Sequence, residues 1–288
     1  MKILTLVENF RRSPEESDIS PLAPHPAFTA TGTEHGLSFW ITTENHRLLF
    51  DTGASDLLLA NAAVAGIDLS RADTVVISHG HYDHGGGLPA LLSRTSRARI
   101  CIQRSALENY ISLHEKPRYI GLPPELRLPD HTALLTGDLE IDSELRIFTG
   151  VPQKYPAPEF GHPLKVRTAS GTLVRDDFRH EQHLIVSSQG KAALFSGCAH
   201  CGIVNIMHRC RELLNRDPDL VLSGFHLKKN ASLTAEDTAL VQNIASQLLE
   251  FTSVFYTCHC TGRTEYEIMK EIMGEQLHLI RTGEELTV

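Results

Sequence analysis

The chain has 288 residues, 41% of them hydrophobic, which is enough to bury a core and reads as a folded globular protein. Its 27 basic residues stand against 35 acidic ones, a formal charge of -8, and no Lys/Arg block tracks a phosphate backbone, so no nucleic-acid partner is expected. No stretch reaches the roughly 20 apolar residues of a membrane span, and MKILTLVENF at the start has neither the apolar region nor the cleavage site of a signal peptide, so the expected location is the cytoplasm.

That first run reads as a strand, and residues 11-36 read as a loop ending at Glu34-His35-Gly36. Residues 37-42 (LSFWIT) and 46-50 (HRLLF), joined by Thr43-Glu44-Asn45, predict a β-hairpin that ends at Asp51-Thr52-Gly53. A helix over 55-66 follows, with Leu58, Leu59, Ala62 and Ala63 on its apolar face and Gly66 as its stop. Residues 74-78 (TVVIS) form a continuous apolar strand of the buried type, which delivers His79 at its carboxyl end.

Residues 104-180 carry many prolines, among them Pro117, Pro123, Pro124, Pro129, Pro152, Pro156, Pro158 and Pro163, and no metal-type motif. They read as a long irregular insertion, either a cover for a substrate or a surface decoration. Beyond it come a strand over 192-197, a helix over 202-215, and a strand over 219-223 that runs into Gly224-Phe225-His226. A helix over 234-250 starts at a Thr234/Asp237 capping box, with Leu240, Val241, Ile244, Leu248 and Leu249 at core spacing. The strand-like run 254-257 then leads to Cys258-His259-Cys260.

A constant offset of 145 aligns Leu49-Phe50 with Leu194-Phe195, Ser78 with Ser223, and His81 with His226. This pseudo-repeat predicts an α/β protein of one domain, 1-288, with two similar β-plus-α halves, 1-103 and 181-288, and the insertion 104-180 between them.

SHGHYDHGGG, residues 78-87, carries the chemistry. In extended chain, residues two apart point the same way, so His79 and His81 can grip one ion. Asp83 and His84 fall on the next turn, within reach of a second. Gly85, Gly86 and Gly87 suit a turn in which backbone passes close to the site and φ is positive. One segment cannot fill two coordination spheres, so His200 and His259, each just past a strand, are expected to supply ligands, with His226 and Cys198 as metal or substrate contacts. A rival arrangement is a structural zinc held by Cys198, Cys201, Cys258 and Cys260. Such close cysteine spacing in a chain without a secretion signal otherwise predicts reduced thiols. Asp51 is placed to take an imidazole N–H from a ligand or to shape its own turn, and His35 to touch substrate or solvent.

LFDTG at 49-53, the His79-x-His81-x-Asp83-His84 cluster and the later strand-end histidines resemble the metallo-β-lactamase superfamily. The resemblance implies an αββα sandwich with a metal site at one edge. EHGLS (34-38), SHGHYDHGGGL (78-88), SGCAHCGIVN (196-205), GFHL (224-227) and HCTG (259-262) are similar to a narrower branch. That branch is named for 7,8-dihydropterin-6-methyl-4-(β-D-ribofuranosyl)-aminobenzene-5'-phosphate synthase and also holds metal-dependent hydrolases. Cys198 stands where many relatives have a bridging aspartate, so either its thiolate bridges or His200 replaces the missing ligand.

The expected cofactors are two divalent ions, zinc first, with manganese or iron as alternatives. The expected activity is hydrolysis of a small ester or phosphodiester, with Asp83 orienting the attacking water. A pterin-type condensation, an iron redox reaction and metal binding without catalysis are the other readings. Nothing in the sequence speaks to the oligomeric state.

Overall fold

The computed structural model describes residues 1-12, 22-25, 31-95, 97-114, 116-157, 164-229 and 231-288. Most of the loop expected at 11-36, and Pro158 and Pro163 of the insertion, lie outside the described residues. The chain forms two compact units, one of Met1–Leu139, His162–Gln182 and Arg281–Val288, the other of Glu140–Gly161 and His183–Ile280. Among the described residues no helix is long and apolar enough to cross a membrane.

The first unit is built on an eight-stranded sheet. Lys2–Val7 pairs antiparallel with Ser38–Thr42, which turns back through the predicted hairpin into Arg47–Phe50. Thr74–Val76, Arg99–Gln103 and Ala133–Leu135 then add in parallel. Buried Leu49, Val75, Ile77, Ile100 and Ile102 pack with Leu58, Leu88 and Leu91 from the helices Leu57–Val64 and Leu88–Leu92.

One position departs from the predicted helix face. Ala63 is exposed and Asn61 is buried instead. Its amide nitrogen donates to Leu6 O (2.7 Å) and Gly32 O (3.0 Å), while its oxygen accepts the Gly32 N–H (2.8 Å). It ties the first strand and the neighbouring loop to the helix, a job that hydrophobic periodicity does not reveal. Asn61→Ala should cost about 1–3 kcal/mol in urea unfolding, because buried backbone groups lose their partner.

The second unit carries a seven-stranded sheet that repeats this order. The antiparallel hairpin of Gln182–Ser188 and Lys191–Phe195 is followed by parallel Leu220–Ser223, Val254–Thr257 and Leu277–Leu279. The helices Ile203–Leu214, Ala235–Leu248 and Arg263–Met273 connect them. Both arms of the Thr234/Asp237 capping box are present. Leu249, expected in the core, follows the last turn and is exposed.

The offset of 145 holds through the hairpin, where Phe39 pairs with Phe50 and Leu184 with Phe195. It fails at the next strand: Phe50 faces Val76, but Phe195 faces Leu222 instead of Val221. In register, His226 therefore takes the place of Gly80, not of His81. A one-residue slip in a strand reverses the face a side chain occupies, so matching residue types at constant offset does not equate their roles.

The insertion is not irregular. Asn109–Ser112, Arg118–Tyr119, Leu164–Arg167 and Leu173–Arg175 make a four-stranded antiparallel sheet of the first unit. Ala133–Leu135 extends the eight-stranded sheet, while Leu139–Glu140 and Leu145–Thr149 extend the seven-stranded one. Strands of two to five residues are too short to show a period. The prolines mark turns between them, as where Pro123 O accepts from Leu126 N–H and Pro129 O from Thr132 N–H.

Candidate metal centre

Parallel pairing sets the geometry at the end of Arg47–Phe50. Asp51 donates its N–H to Val76 O (2.9 Å) and takes the left-handed conformation, φ 61. Aspartate tolerates that region better than most residues because its short side chain bonds locally. Its buried carboxylate accepts from Ser78 N–H, from the Ser78 hydroxyl and from His84 Nδ1, each at 2.7 Å.

These contacts assign the ring protons. A carboxylate only accepts, so His84 carries its proton on Nδ1 and keeps a lone pair on Nε2. The Ser78 hydroxyl spends its one proton on Asp51 and therefore accepts from His79 Nδ1, 2.9 Å away. His79 also keeps its Nε2 lone pair. The His79 ring centroid lies 4.6 Å from that of His81 and 4.1 Å from that of His84.

His81 is extended (φ -91, ψ 148) at the start of the short helix Tyr82–Gly85, which carries Asp83 and His84. The donor atoms of His79 and His81 lie within 4.8 Å of each other, as do those of Asp83 and His84. All four residues are buried. Lone-pair imidazole nitrogens and a carboxylate at such separations suit divalent ions.

His35 reaches this cluster from the loop. Asn9 Oδ1 accepts the Gly36 N–H (3.3 Å), so its amide nitrogen donates to His35 Nδ1 (3.3 Å). His35 Nε2 then carries the proton and sits 3.2 Å from Asp83 Oδ2, on a side chain 53% exposed.

Gly85, Gly86 and Gly87 do not have positive φ, contrary to expectation. They are required by close approach alone. A Cβ on Gly86 would sit 2.3 Å from Ala54 O, one on Gly87 2.2 Å from Thr52 O, and one on Gly85 2.3 Å from the Leu122 side chain.

The second unit brings its own set together. Ala199, His226 and His259 all take positive φ (57, 49 and 55), a strained choice for non-glycine residues that concentrates at functional sites. Ligand atoms of Cys198, His200 and His226 lie within 4.8 Å of one another, and so do those of Cys198 and His259. The rings of His200 and His226 are 4.1 Å apart. The His226 N–H donates to Cys260 Sγ (3.2 Å), and Phe225 N–H to Thr261 Oγ1 (2.9 Å), which ties the two strand ends. None of the six cysteines is in a disulfide. Among the described residues only Cys198 of the six enters a cluster able to hold metal, so the four-cysteine zinc site does not form.

The pattern of the metallo-β-lactamase superfamily matches residues 31-115. A solved structure described as a metal-dependent hydrolase of the β-lactamase superfamily aligns with TM-score 0.78 and 26% identity, over 100% of this chain and 99% of that one. The chain is similar to members of the metallo-β-lactamase superfamily. Its α/β fold is that of the superfamily. Two proteins of Methanocaldococcus jannaschii are also similar. One, uncharacterized, is 28% identical over 73% of this chain and 79% of its own length. The other, 7,8-dihydropterin-6-methyl-4-(beta-D-ribofuranosyl)-aminobenzene-5'-phosphate synthase, is 24% identical over 87% of this chain and 89% of its own length.

Three residues of the site escape sequence reasoning. Ser78 sits at the head of the quoted motif, yet its hydroxyl looks like any strand serine. Asp176 and His180 lie in the supposed insertion and are buried beside His81, with His180 Nε2 3.1 Å and His81 Nε2 3.6 Å from Asp176 Oδ2. The Asp-x-x-x-His spacing is the one local signal, and it is too common to single out. Its significance comes from a fold that returns residues about a hundred positions later to the same place.

Proposed function

We propose that this protein is a hydrolase that uses two divalent ions, zinc first, against a small ester or phosphodiester, phosphorylated molecules included. His79, His81, Asp83 and His84 are the proposed ligands of the first unit, and His200 and His259 those of the second. Cys198 and His226 are further metal or substrate contacts. The observation that carries the reading is the buried network in which Asp51 and Ser78 hold the protons of His84 and His79 on Nδ1, leaving Nε2 to bind. Imidazole suits zinc, and so does a thiolate, which Cys198 could supply on losing its proton.

When bound, such ions lower the pKa of a coordinated water toward about 7 and polarise the substrate oxygen. The chain's own residues do the positioning. Asp83 orients the water, and His35 restrains the Asp83 carboxylate from the solvent side. The solved hydrolase at 26% identity over the whole chain supports this class of reaction.

The synthase reading keeps a specific support, the pterin-type relative that matches along 87% of this chain. In that reading the site organises two substrates instead of activating water. Protein purified without added zinc, assayed for metal and then with esters, phosphodiesters and the pterin pyrophosphate/aminobenzene ribose phosphate pair, decides between them. Two ions per chain, with single-substrate hydrolysis that is lost in His84→Ala and on chelation, is the expected result. Pterin consumption only when both partners are present would replace hydrolase with synthase, and bound iron with oxygen uptake would replace both.

A further inference from the structure

Behind His81 stands a second polar network that the proposed reaction does not use. Asp176 directly follows the strand Leu173–Arg175, and the next turn brings in His180; both are buried, at 2% and 0% exposure. The Gly80 N–H, between the two histidines of the motif, donates to His180 Nδ1 at 2.9 Å. A nitrogen that accepts carries no proton, so neutral His180 holds its proton on Nε2, 3.1 Å from Asp176 Oδ2. Asp176 Oδ1 meanwhile accepts the Phe178 N–H at 2.9 Å. The carboxylate is thus held at both oxygens.

Asp176 Oδ2 also faces His81 Nε2 at 3.6 Å. That is longer than a formed hydrogen bond, and such contacts commonly tighten once a ligand draws the ring into place. The ligand atoms of His81, Asp176 and His180 all fall within 4.8 Å, which superficially makes a further metal site. Both nitrogens of His180 are engaged, one by an N–H donor and one by its own proton, so His180 has no lone pair to offer an ion. The group is a brace.

We infer that Asp176 is a positioning residue whose carboxylate accepts a hydrogen bond from His81 Nε2–H and so commits His81 to bind metal through Nδ1, with His180 and the Gly80 backbone holding the carboxylate in place. The three imidazoles of the motif are then oriented by different acceptors. Ser78 and Asp51 hold His79 and His84 at Nδ1, whereas Asp176 holds His81 from the opposite nitrogen. The arrangement also accounts for glycine at position 80. A Cβ there would lie 2.6 Å from Ala106 O and 2.7 Å from Tyr110 Cε2, and the Tyr110 ring itself packs 4.2 Å from that of His180. A larger residue would push the Gly80 N–H off His180.

This inference rests on the metal reading above, and its test separates the two. Metal-free full-length protein is titrated with Zn2+ against a chromophoric chelator, and with Co2+ while the visible bands are recorded, for wild type, Asp176→Ala, Asp176→Asn and His81→Ala. Circular dichroism verifies that each variant is folded. Asp176→Ala is expected to bind zinc about 10–100-fold more weakly and to shift the Co2+ bands, as happens when the partner of a ligating histidine is removed. Asp176→Asn, the same shape with an acceptor oxygen but no charge, should recover part of that loss. If Asp176→Ala does not fold, the isosteric Asp176→Asn carries the test, with a several-fold loss expected. Wild-type affinity and Co2+ bands in the folded Asp176 variants, alongside loss in His81→Ala, overturn the inference and leave the metal reading standing. Wild-type affinity in His81→Ala as well overturns both.

Discussion

Asp51→Ala should destabilise the protein by at least about 3 kcal/mol and weaken zinc binding about 10–100-fold. The carboxylate has no exposure and receives three donors at 2.7 Å, the Ser78 N–H, the Ser78 hydroxyl and His84 Nδ1. Removing it strands all of them in the interior, where each unmet donor costs about 1–3 kcal/mol. The three losses are coupled, so their simple sum is an upper bound. Alanine also has to adopt φ 61, which it tolerates less well than aspartate. Against a typical total of about 5–15 kcal/mol, the loss would show as a large drop in the urea midpoint. Metal affinity is expected to fall for a separate reason: without Asp51 the His84 proton can move to Nε2 and occupy the nitrogen proposed to bind the ion. Asp51→Asn keeps the turn and one acceptor but presents an amide to the remaining donors, so it should lie between wild type and alanine. An alanine variant with the wild-type midpoint and zinc affinity would show that the network has no such role.

The second large effect is on acid stability and comes from His183, which the proposed reaction leaves aside. It is fully buried in Gln182–Ser188, with Nδ1 2.9 Å from Ser196 Oγ and its ring 4.9 Å from that of Phe148. Burial pushes its pKa down from 6.5 to about 3. The unfolded chain therefore takes up a proton near pH 6.5 that the folded protein refuses until about pH 3. Between those values the unfolded state binds one more proton, so stability falls as pH falls, by about 1.4 kcal/mol per unit for this group alone. Above pH 6.5 the effect is absent; at its full extent it is on the order of 5 kcal/mol. Urea unfolding of metal-free protein at several values between pH 7 and pH 4 measures the slope. In His183→Gln the slope should be shallower by about one proton, whatever that substitution does to the absolute stability. Equal slopes in the two proteins would mean that His183 titrates normally in the fold.

Much of this protein could be read along the chain, and the reason is local. The hairpin 37-50, the buried runs at 74-78 and 219-223 and the capped helix after Thr234 announce themselves through apolar periodicity and turn chemistry, which act over a few residues. The cluster His79, His81, Asp83 and His84 lies within six positions, so its chemistry is visible before any fold is known. What stayed hidden depends on residues far apart in sequence. The proline-rich stretch 104-180 resolves into strands of all three sheets, because two-to-five-residue strands gain their stability from neighbours and not from their own pattern. The offset that equated His81 with His226 breaks by one residue, because strand register is set by pairing across the sheet.

The sequence by itself determined that three imidazoles and a carboxylate stand together after a buried strand. Tertiary structure alone decided which nitrogen each ring presents. Asp51 meets Ser78 and His84, and Asp176 faces His81, across separations of 27 to 95 residues in the chain. An imidazole has two nearly equivalent nitrogens, and only the acceptor that the fold brings to one of them frees the other for metal.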